Sequence, residues 1–156
     1  MRTLSGFLSV LFVLNLSAGI AAEEEREEDE RIAGAKALFA AYERLEREFD
    51  AKVAELYADK AVIRNKRTYP NGKTREMKIP APRYKAMIRK LMPLAKARGD
   101  LNTYSEVTYA IEGEGVRITA DRYSELKKYH SPISLLAKPS ASGKWLIYEE
   151  LTKSQP

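Results

Sequence analysis

Residues 38–63, LFAAYERLEREFDAKVAELYADKAVI, hold a helix and the start of a strand. Leu38, Phe39, Tyr42, Leu45, Phe49, Val53, Leu56 and Tyr57 recur at steps of three and four, which gathers them on one apolar stripe. Glu43, Arg44, Glu46, Arg47 and Glu48 fill the other side and can pair along the helix. The spacing predicts a helix that ends near Asp59, with first turns frayed by Gly34. Ala61-Val62-Ile63 then begin a strand.

Further along, Asn71-Gly72 predicts a tight two-residue hairpin turn, and Lys73 to Ile79 the return strand. The hairpin is polar and basic, and Pro70, Pro80 and Pro82 suit a sheet edge. Arg83 to Arg98 reads as a second helix with Tyr84, Met87, Ile88, Leu91 and Ala95 on a stripe. Pro93 should kink or divide it, and Gly99 should stop it. After Asp100 the pattern is strand to the end: 104–112, 116–127, 131–138 and 144–151, with short links. The expectation is an α+β fold, a curved antiparallel sheet wrapped around a long N-terminal helix with a cavity inside the cone.

Upstream of the helix, Met1-Arg2, an apolar run from Leu4 to Leu14 and small residues from Ser17 to Ala22 read as a signal peptide, residues 1–22. The run is too short and too closely followed by charge for a membrane span. Cleavage near Ala21 or Ala22 would leave an acidic flexible tail, 23–31, and a single domain, 32–154, of roughly 135 residues in all. The expected location is periplasmic or secreted. The chain has no cysteine, which excludes disulfides, thiol chemistry and a cysteine-linked lipid anchor. The net charge of +5 is unevenly spread. Seven acids crowd residues 23–30, and twelve cations face one acid, Glu76, between Arg64 and Arg98. Such a basic face suits an anionic envelope partner, whereas export makes nucleic acid a poor one.

Three segments resemble the nuclear transport factor 2-like (NTF2-like) superfamily, the cystatin-like cone. They are Leu56-Tyr57-Ala58-Asp59-Lys60-Ala61-Val62-Ile63, Gly113-Glu114-Gly115-Val116-Arg117-Ile118-Thr119 and Gly143-Lys144-Trp145-Leu146-Ile147-Tyr148-Glu149-Glu150. With the element order they span nearly the whole chain, and the SnoaL-like and ketosteroid-isomerase-like branches are most similar. The resemblance implies a cavity, and isomerase, dehydratase or hydrolase activity in some members and none in others. It also implies a homodimer through the convex sheet face. The isomerase branch carries an aspartate base six residues after the position of Asp59. Asn65 stands there, and an amide cannot accept the substrate proton.

The candidate ligand-binding residues are Tyr42, Tyr109, Arg122, Tyr123 and Glu149. Tyr42 lies near the family's oxyanion tyrosine, and tyrosines generally offer an apolar body with a polar tip. Arg122 is in phase with Val116, Ile118 and Ala120, and Glu149 with Trp145 and Ile147, so strict alternation predicts an interior Arg122–Glu149 pair. His130 is the only histidine and has no companions at ligand spacing, so no metal and no cofactor are expected. The function that follows is non-catalytic binding of a small apolar or amphipathic molecule in the cone. The alternatives are an enzyme of the same fold, using Arg122, Glu149, Tyr42 or His130, and an interaction module using the basic 64–98 face.

Overall fold

The computed structural model describes residues 10–155, with side chains from residue 19 onward. Helix α1 runs Val10–Arg47, followed by a 3-10 turn Ala51–Leu56, strand β1 Tyr57–Thr68, β2 Thr74–Pro80 and helix α2 Ala81–Arg98. Four strands complete the chain: β3 Asn102–Glu112, β4 Gly115–Ser124, β5 Tyr129–Pro139 and β6 Trp145–Ser154. The six strands form one sheet in the order β2-β1-β6-β5-β4-β3. Every pair is antiparallel except β1 with β6, which run parallel and join the hairpin to the four-strand meander.

The stripe quoted first is the core. Leu38, Phe39, Tyr42, Leu45, Val53, Leu56 and Tyr57 are buried against Ile63, Val116, Ile118, Ile133, Leu135 and Ile147 from the concave face of the sheet. Each such aliphatic side chain contributes roughly 1.5–3 kcal/mol by leaving water. The helix, however, stops at Arg47 instead of near Asp59. Phe49 turns to a positive φ of 54°, and Asp50 accepts a 2.8 Å hydrogen bond from the Lys52 amide, which starts the 3-10 turn. The apolar periodicity crosses this break, so it gives no sign of the stop.

Gly34 does not fray α1. The Trp145 indole lies directly on its backbone, where any Cβ would overlap the ring. Arg31 Nη1 donates to Gly113 O at 2.8 Å and ties α1 to the β3–β4 turn. Glu23 to Glu30 are helical and exposed in α1. Of the expected leader, residues 1–9 lie outside the described residues. Among the described residues no helix is long and apolar enough to cross a membrane.

The β1–β2 turn is longer than expected. The Tyr69 amide donates to Lys73 O, and of the loop residues only Gly72 has positive φ, so it is a three-residue loop. β2 does lie at a sheet edge. α2 runs unbroken through Pro93, which is exposed, and Gly99 ends it at φ 62° with its amide bonded to Lys96 O.

Candidate functional site

Inside the cone, polar side chains from every layer meet. α1 supplies Tyr42 and, one turn on, Glu46. β3 supplies Asn102 and Tyr104, β4 Arg122, β5 Ser131, and β6 Glu150 and Thr152. Tyr57 from the start of β1 and Tyr84 from α2 close the floor and the side.

Two carboxyl groups organise this interior. Glu150 is buried, and the hydroxyls of Tyr57 and Tyr84 both donate to it, the latter at 2.9 Å. Burial holds its carboxyl above the usual range, outweighing the two hydrogen bonds and the attraction of Arg122. Glu46 accepts from Tyr104 at 2.5 Å and from Asn102 Nδ2 at 3.2 Å. Burial raises it too. The hydroxyls of Tyr42, Tyr57, Tyr84 and Tyr104 are all pushed well above their ordinary value, first by burial and then by the carboxylates. All four stay neutral donors at physiological pH.

The Arg122 guanidinium faces this group without an ion pair among the described residues. Its Nε and Nη2 donate to Ser131 Oγ at 3.2 and 3.0 Å, and Nη2 also to Lys153 O at 3.2 Å. Nη1 has no hydrogen-bond partner among the described residues. Burial lowers the pKa of Arg122, but the surrounding phenols and carboxylates outweigh it and hold the group firmly charged. Stacked and edge-on rings fill the deep end: Tyr42 lies 5.9 Å from both Phe39 and Tyr104, and Tyr57 5.3 Å from Tyr84. Glu46, Tyr84, Asn102, Tyr104 and Arg122 keep partial exposure.

Asn65 also points inward. Its Nδ2 donates to Thr152 Oγ1, and its Oδ1 accepts from Ser154 Oγ, both at 2.9 Å. Among the described residues no group of three or more His, Cys, Asp or Glu side chains is gathered to hold a metal ion.

Of the five residues singled out in the sequence, the structure brings Tyr42 and Arg122 together in the interior. Tyr109 is half-buried on β3 beside Lys36 of α1, whose ammonium lies 5.6 Å from its ring centre. Tyr123 lies against His130 on the far face of the sheet, 4.7 Å between ring centres with the planes tilted by 45°. The expected Arg122–Glu149 pair does not form. Glu149 lies on that far face, with Arg117 Nη1 2.7 Å from its Oε1. The reason is a bulge: Ala137 pairs with Ile147 and Leu136 with Glu149, so Tyr148 is extra and the strand changes phase. Glu150 takes the inward place.

The sequence singles out neither Glu46 nor Asn102, and it offers Tyr84 and Tyr104 only among the tyrosines as a group. Glu46 follows Tyr42 by four residues, which was enough to place it on the same helix face. Asn102 and Tyr104 carried no such signal. The Glu106 bulge on β3, at φ 53°, breaks the alternation between them and Tyr109. A separate hollow of about 680 Å³ opens on the far face, lined by Arg64, Lys66, Thr119, Pro132, Leu151 and Lys153 among others.

This architecture recurs in solved structures. An NTF-2 like protein of unknown function from Shewanella oneidensis MR-1 superposes with a TM-score of 0.57 at 15% identity, over 78% of this chain and 98% of that one. The chain has the NTF2-like fold. A proposed dehydratase of the NTF2-like family from Streptomyces avermitilis gives 0.56 at 11% identity, over 81% and 96%. An NTF2-like protein with a cystatin-like fold from Novosphingobium aromaticivorans gives 0.50 at 19%, over 95% and 91%. No protein-family profile and no curated protein matches the chain. The NTF2-like cone is therefore established by its structure, at identities that carry the fold alone.

Proposed function

We propose that this NTF2-like protein is exported and binds a small amphipathic molecule at the mouth of its cone. The ligand's acceptor group, a carboxylate or carbonyl, sits on Arg122, and its apolar body lies along Tyr104, Tyr84 and Tyr42. The observation that carries this is Arg122 itself: a largely buried, permanently charged guanidinium with one free nitrogen and no ion pair among the described residues. The unpartnered Nη1 is a charged donor left to spare, and a bound acceptor satisfies it. Glu46 and Glu150 supply compensating charge nearby and set which ligand protonation state fits. The leader-like start of the chain supports export. The far face of the sheet is the surface we assign to a homodimer.

A thermal-shift series with medium-chain carboxylates and aromatic ketones tests this reading. Wild-type protein should be stabilised by at least one class, and Arg122→Met should lose that response while keeping its own melting temperature within a few degrees. Equal responses in both proteins would remove Arg122 from the site.

A second reading is enzymatic. Buried carboxyls held above the usual range beside neutral tyrosine donors are the groups a proton-transfer reaction needs. Under that reading Glu46, open to the mouth, is the group that takes the substrate proton, and Glu46→Gln would abolish turnover without abolishing binding.

A further inference from the structure

Helix α2 carries a second, unrelated surface. Its inner side is spent on the fold: Ala81 is buried, and Tyr84, Ile88 and Met92 pack against the core. Beside that side lies a row at steps of four and three: Arg83, Met87, Leu91, Leu94, Arg98. The three apolar members are 36%, 47% and 45% exposed, which makes them three of the five exposed large hydrophobic side chains among the described residues. Lys90 sits three residues from Met87 on the same flank. α2 holds six cations and no acid, and among the described residues only Lys85 is engaged, by Asp59 Oδ1 and Tyr57 O.

We propose that this face of α2 lies on an anionic lipid bilayer, with Met87, Leu91 and Leu94 entering the headgroup boundary and Arg83, Lys90 and Arg98 on the lipid phosphates. An apolar row bordered by cations is the composition of an interfacial helix, and no described helix is apolar enough to go deeper. Charge selects this occupant over the others. A second copy of the chain would place the same cations against one another. A nucleic acid would supply phosphates but leave the leucines and the methionine without a stack, since base platforms are aromatic. The row uses none of the side chains assigned to the ligand, so it does not depend on the ligand proposed there.

The absence of cysteine allows a local test. The full chain carries a single Leu91→Cys labelled with nitrobenzoxadiazole, and a control carries the label at Ser142→Cys in the β5–β6 loop. Vesicles of phosphatidylglycerol and phosphatidylcholine in equal parts, at physiological salt, should raise and blue-shift emission at position 91 and leave position 142 unchanged. Pure phosphatidylcholine should do neither. Adding Arg83→Glu, Lys90→Glu and Arg98→Glu should abolish the shift at 91 while circular dichroism stays that of the parent. No shift at 91, an equal shift at both positions, a shift that survives the charge reversals, or a shift produced by DNA or by protein concentration alone would each overturn the proposal. The charge reversals are confined to α2, so a shift driven by the apolar N-terminal stretch would survive them.

Discussion

Arg117 Nη1 lies 2.7 Å from Glu149 Oε1 on the outside of the sheet, while the next residue, Glu150, is sealed inside it. Adjacent strand residues face opposite sides, and the extra residue at Tyr148 makes Glu150 the one inside. Their substitution should differ accordingly. Glu149→Ala removes half of a partly exposed pair, worth up to about 1 kcal/mol. Glu150→Ala leaves the Tyr57 and Tyr84 hydroxyls without their acceptor and should cost roughly 2–4 kcal/mol. Chemical denaturation of the two variants compares them directly, and equal losses would mean that the bulge is misplaced.

Gly34 offers a test whose sign is informative. In an exposed helix interior, Gly→Ala stabilises by about 1 kcal/mol. Here the new methyl meets the Trp145 indole, so Gly34→Ala should destabilise by roughly 1–3 kcal/mol. Trp145 is the only tryptophan, so its emission should also move to the red as the ring is pushed outward.

The interior carboxyls predict an unusual pH profile. Glu150 and Glu46 are held above their ordinary 4.5, so the folded state binds their protons more tightly than the unfolded chain does. That contribution is complete below the unfolded value and is lost as pH rises through the folded one. The wild type should therefore lose stability as pH rises above about 4.5, over the window set by the two upward shifts. Asp59 and Glu112 are lowered by Lys85 and Arg117 and act the other way, but both are solvent-exposed and screened. In the double variant Glu46→Gln, Glu150→Gln the decline should flatten. Urea midpoints measured between pH 4 and 8 read this out, and an unchanged slope would assign the proton linkage elsewhere.

Legibility followed alternation and failed where it broke. The helix stripe, the four-strand meander and the inward turn of Arg122 all follow from residue spacing, and the NTF2-like cone follows from their order. What was lost hangs on three single residues. Phe49, at positive φ, ends α1 inside an unbroken apolar pattern. The bulges at Glu106 and Tyr148 shift the phase of β3 and β6, moving Tyr104 and Glu150 into the site while Glu149 stays out. A bulge leaves no periodic signature of its own. Leu151, half-buried on the outer face, made the wrong phase look the more apolar one.

The most direct test of the account is native mass spectrometry of the full-length gene product purified from its own host, beside Arg122→Met. The account predicts an added mass on the wild type that leaves on denaturation and is missing from the variant. A bare mass for the wild type, or the same adduct on both proteins, would contradict it.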